Sequence, residues 1–119
     1  MKNQFVKTFT LLLLLCSANT FAQSCEINGS WKHSQKPASL LIDISKQQIT
    51  VERHQLNPDT AGLTVIQELQ TDKTKENLWS GKMYAATSDS FIPVKITALN
   101  CHTLVVTENM KEILRLLRD

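Results

Sequence analysis

The chain has 119 residues, enough for one small domain, and its 13 basic and 11 acidic residues leave a formal charge of only +2. Lys2 and Lys7 lie in an apolar N-terminal stretch, and without them the basic residues merely match the acidic ones, which excludes an electrostatic grip on nucleic acid or an anionic membrane. Three glycines in all are too few for a Gly-rich phosphate cradle.

The N-terminus reads as an export signal. Lys2 and Lys7 give a basic start, Phe9 to Cys16 an apolar stretch with five consecutive leucines, and Ser17 to Ala22 a small, polar close. The apolar stretch is about half the 20 residues that span a bilayer, so a cleaved leader, residues 1–22, is expected rather than an anchor. The expected product is residues 23–119, a single periplasmic or secreted domain with no transmembrane segment after processing. A lipid-anchored alternative fits poorly, because Leu15 before Cys16 is not small and Ala22-Gln23-Ser24 before Cys25 departs from the lipoprotein pattern.

Loss of the leader removes Cys16 and leaves Cys25 and Cys101, an even pair bound for an oxidising compartment. Their pairing as a disulfide is expected, closing a loop of roughly 77 residues for about 4 to 5 kcal/mol. A free thiol or a metal site is the alternative, with His102 beside Cys101 and His33 following Cys25, but no C-x-x-C or H-x-x-x-H spacing supports it.

Past the leader the pattern has period two. Leu40, Ile42 and Ile44 share one face of a strand over 39–46, and Ile49 and Val51 continue it after a turn at Lys46-Gln47, so a hairpin is expected. Asn57-Pro58-Asp59 and Ala61-Gly62 mark turns before a strand over 63–69. The polar run 70–77 reads as a loop, and strands are expected over 78–86, 91–99 and 103–107. In the strand 91–99, Ile92, Val94 and Ile96 fall on one face. The last segment has two readings: Met110, Ile113, Leu114 and Leu117 have helical spacing, whereas in a strand Leu114 and Leu116 align with Arg118. A helical turn over 109–112 followed by a strand is the expectation. Seven or eight short strands with regular turns predict an all-β fold, an antiparallel sandwich or barrel.

Gly29-Ser30-Trp31, placed just ahead of these strands, resembles the G-x-W start of lipocalin-type barrels. That resemblance implies that Trp31 closes one end of a barrel beneath an Arg of the last strand, Arg118 or else Arg115. A longer likeness runs from Gly62 to Arg118. Gly62-Leu63 with Val65-Ile66 and Leu69, Trp79-Ser80-Gly81-Lys82-Met83-Tyr84, Leu104-Val105-Val106 and the closing Leu117-Arg118 resemble a family of small exported bacterial proteins catalogued as domain of unknown function 2147. The chain departs from that pattern in having no Pro or Gly between Ala85 and Phe91, and Leu116 in place of the closing Trp. The resemblance implies a lipocalin-like β-barrel of the bacterial envelope and carries no reaction or ligand.

No pairing of nucleophile with base stands out, so neither an enzyme nor a cofactor is expected. His33, His54 and His102 read as surface or turn residues. Trp79 and Tyr84 fall on opposite faces of one strand, with Trp79 the better core candidate. If the barrel is not filled, Leu40, Ile42, Ile44, Ile49, Val51, Ile92, Val94 and Ile96 would line an apolar pocket with no obvious charged residue to orient a head group. Two functions fit: binding of a small apolar or lipid-like molecule, or an envelope protein-interaction or inhibitor module with a filled barrel, using the 54–61 turn and the 70–77 loop.

Overall fold

The alternation of apolar and polar residues is realised as a closed sheet. The computed structural model describes residues 24–119, so the expected leader lies outside the described residues. Among them, eight antiparallel strands follow one another around a barrel: β1 (Gly29–His33), β2 (Ala38–Asp43), β3 (Gln48–His54), β4 (Thr64–Thr71), β5 (Leu78–Ala85), β6 (Ser90–Asn100), β7 (Thr103–Glu108) and β8 (Lys111–Leu117). β8 pairs with β1 through Lys32 with Leu117 and His33 with Leu116, which closes the ring and leaves no open sheet edge along that seam. Gly29-Ser30-Trp31 is therefore part of the first strand rather than a prelude to it.

Inward positions follow the period-two pattern. Trp31, Leu40, Ile42, Ile49, Ile66, Trp79, Val94, Ile96, Leu104, Val106, Leu114 and Leu116 are buried, with Ile44, Val51, Val65, Met83 and Ile92 partly buried against them. β4 breaks the pattern. Glu68 takes a left-handed conformation (φ 56°) at an irregularity between Gln67 and Gln70, and the extra residue lets Ile66 and Leu69, three apart, both turn inward. The strand also runs to Thr71, two residues into the stretch expected to be a loop.

The expected helical turn over 109–112 is not formed. Asn109 (φ 50°) and Met110 (φ 67°) make a tight turn with both residues at positive φ, the form that matches the twist of a hairpin, and β8 begins at Lys111. The helical spacing that included Met110 is coincidental, since Met110 is 97% exposed while Leu114 and Leu116 alternate inward. The one helical segment among the described residues is the 3-10 turn Pro58–Thr60.

Candidate functional site

The two ends of the barrel differ. At one end lie the segment 24–28, the turns 44–47, 72–77 and 101–102, and the C-terminus; at the other lie the turns 34–37, 55–63, 86–89 and 109–110. The first end is sealed from the residues upward. Cys25 and Cys101 form the expected disulfide, which ties the incoming segment to the β6–β7 turn. Ile27 then drops into the core, 2% exposed, and its carbonyl accepts a hydrogen bond from Trp31 Nε1 at 2.9 Å. The Arg118 guanidinium lies 4.2 Å from the Trp31 ring centroid, and donates to the carbonyls of Glu26, Asn28 and Cys101. Arg118, and not Arg115, is thus the partner of Trp31; Arg115 is engaged by Glu112 at 2.8 Å on the outer surface.

A polar recess of about 380 Å³ lies beside this seal, between the 24–28 segment and the 71–77 loop. Its ionic groups are of both signs, Glu26, Asp72 and Glu76 against Lys73 and Lys75. The Asp72 carboxylate is committed to its own turn, accepting from the Thr74 hydroxyl and from the Thr74 and Lys75 amides, which holds its pKa down. Such a surface selects no single ligand charge.

The opposite end is open. A recess of about 180 Å³ enters the barrel there, with Leu40, Val51, Val65, Met83 and Leu114 as apolar walls and His33, Lys36, Ala38 and His54 completing it. Of the eight residues expected to line a pocket, Leu40 and Val51 reach this recess. Ile44 lines the polar recess at the sealed end, Ile42, Ile49, Val94 and Ile96 are buried in the packed interior, and Ile92 is partly buried against that interior. Below the mouth the inward side chains form one buried core, as the narrow bore of eight strands permits.

The expectation that no charged residue would face an apolar pocket is corrected by the rim. His33 ends β1 and His54 ends β3, and the β2 residue Ala38 pairs directly with His54. The turn after β1 brings Lys36 to the same edge. Each imidazole caps the turn that follows it: His33 Nδ1 accepts from the amides of Gln35 (3.0 Å) and Lys36 (3.2 Å), and His54 Nδ1 from those of Leu56 and Asn57, both at 3.2 Å. With Nδ1 accepting, the neutral ring of each carries its one proton on Nε2. Partial burial, with the positive fields of Lys36 and His54 next in weight, lowers the His33 pKa. A shallow groove shares His33 and Lys36 with the recess and adds Lys32 and Arg53, and no Asp or Glu lines either of them. Glu52 accepts from Ser30 Oγ and Glu112 from Arg115.

His102 stands in the β6–β7 turn, where its carbonyl accepts from the Arg118 amide and its own amide donates to Asn100. Trp79 is buried, while Tyr84 lies outside, edge-on to Phe91 at 5.6 Å and bonded to Asp89. Among the described residues no three His, Cys, Asp or Glu side chains cluster as metal ligands would, and no helix is long and apolar enough to cross a membrane. No protein-family model, curated protein or solved structure matches this chain.

Proposed function

We propose that this protein is a non-enzymatic, exported barrel that holds a small apolar or amphipathic molecule in its open mouth. The observation that carries the reading is the asymmetry of the ends. One is stopped by Ile27, Trp31, Arg118 and the Cys25–Cys101 bridge, and the other presents apolar side chains to solvent in a concave site. The disulfide and the signal-like N-terminus support a periplasmic or secreted location. Membership in the domain of unknown function 2147 family is part of the same proposal and rests on the order of motifs from Gly62 to Arg118.

The test is native mass spectrometry of the full chain exported into a bacterial periplasm. The reading expects an apolar adduct that survives desolvation and is lost when Val65→Trp fills the mouth; a clean mass in the unaltered protein counts against it. The second reading, a protein-interaction module, draws on Leu56 (74% exposed) and Leu63 (57% exposed), which stand in the loop at the same end. In that case replacing both by Ser abolishes capture of a partner while the mouth stays empty.

A further inference from the structure

Resting on that reading, we infer that the mouth selects a monocarboxylate with a compact apolar body, the tail lying against Leu40, Val65 and Met83 and the carboxylate meeting His33, Lys36 and His54. Three observations set the chemistry. The first is size. About 180 Å³ is somewhat more than the roughly 150 Å³ apolar cavity that admits benzene and well below the 300 Å³ or more of sites for drug-sized molecules. The buried part of the ligand is therefore a phenyl ring or a short alkyl segment, not a whole lipid chain.

The second is the sign of the rim. Cationic or N–H-bearing side chains border the recess, Lys32 and Arg53 extend the same sign into the adjoining groove, and no carboxylate lines either. A cationic ligand is disfavoured there, and an uncharged one leaves this field unused.

The third is the number of charges. The turn caps leave each neutral imidazole with Nε2–H as its donor, so in that form the rim presents two N–H donors and the one formal charge of Lys36. One charge with two added donors suits a single carboxylate with its several lone pairs better than a phosphate dianion. On the far side of His33 the β8 charges, Glu112 and Arg115, pair with each other and leave this balance unchanged.

The experiment compares 3-phenylpropanoate with its uncharged analogue 3-phenylpropan-1-ol by titration calorimetry at pH 7.5, using the processed protein with its disulfide intact. The inference expects the carboxylate to bind about tenfold or more tightly than the alcohol, the scale of one charge-assisted hydrogen bond. Lys36→Met should shrink that ratio severalfold. Lys36 is exposed and its own backbone amide still reaches His33, so this variant keeps the fold. Equal binding of the two compounds overturns the head-group inference while the apolar-mouth reading stands; absence of binding by either overturns both. A ratio that Lys36→Met does not change overturns the assignment of the carboxylate to this rim.

Discussion

Arg118 stacks on Trp31 across the sealed end, its guanidinium carbon 4.2 Å from the indole centroid, while the indole N–H is spent on Ile27. One side chain thereby binds the last residues of the chain to the first strand and to the carbonyls of the segment before it. Truncating Trp31 to Ala should cost about 3 to 5 kcal/mol as a large buried aromatic. Arg118→Ala should cost less, and the double mutant should be less destabilised than the sum of the two by about 0.5 to 2 kcal/mol, the range of a cation–π contact. Chemical denaturation of the four proteins measures this; strict additivity would separate the two residues energetically.

The Cys25–Cys101 bridge spans 76 positions of sequence. Loop-closure entropy assigns such a crosslink about 4 to 5 kcal/mol, a large share of the stability of a small domain. Unfolding by urea with and without reductant should show the midpoint falling by a corresponding amount, and the Cys25→Ala, Cys101→Ala double variant should match the reduced protein.

Gly81 owes its place to a close approach rather than to turn geometry. A Cβ there would stand 2.7 Å from Ile66 Cγ2 and 3.2 Å from the Gln67 carbonyl oxygen, so β5 lies tight against β4 only with hydrogen at that position. Gly81→Ala should destabilise by about 1 to 3 kcal/mol through overpacking. Pairing it with Ile66→Val, which removes the Cδ1 methyl and so lets the shortened side chain shift, should recover part of that loss.

Stability should also fall on mild acidification. The His33 pKa in the folded protein lies below its ordinary value because of partial burial, with Lys36 and His54 adding repulsion. An unfolded histidine takes up its proton near pH 6.5, whereas the folded one does so only at lower pH, so the unfolded state binds more protons between these points. The stabilisation is complete above pH 6.5 and is lost as pH falls below it. Thermal melts from pH 7.5 to 5 should show a declining midpoint, and His33→Asn should flatten that decline. The carboxylates whose pKa values are lowered, Asp43, Glu52, Asp72 and Glu112, act in a separate window, below the ordinary carboxylate range.

Much of the barrel was legible because a sheet with one buried face imposes period two on its sequence. Leu40 with Ile42, and Val94 with Ile96, declare themselves in this way. What could not be read depended on pairings between distant segments. The bulge at Glu68 changes phase within a strand without any Gly or Pro to announce it. Ile27 lies outside every strand, yet is buried because the disulfide folds its segment across the barrel end. The helical spacing of Met110 to Leu117 misled because Leu114 belongs to both patterns, with Leu117 in the helical one and Leu116 in the alternating one, and only the pairing of β8 with β7 decides between them.

The mouth was half visible. Leu40 and Val51 were readable as inward residues, but Val65, Met83 and Leu114 join them only through barrel closure. His33 and His54 looked like isolated turn residues. It is the pairing of β1, β2 and β3 that brings both to one rim, and their role in capping turns is a matter of ring orientation that carries no sequence mark beyond the histidine itself.

The most direct test of the mouth as a ligand site is a methyl-labelled NMR titration of the processed protein with 3-phenylpropanoate. The account predicts saturable shifts concentrated in the methyl groups of Leu40, Val51, Val65, Met83 and Leu114, with Ile27 and Leu104 at the sealed end and in the core unmoved. Shifts centred instead on the segment 24–28 and the 71–77 loop, or no saturable shifts at all, would contradict it.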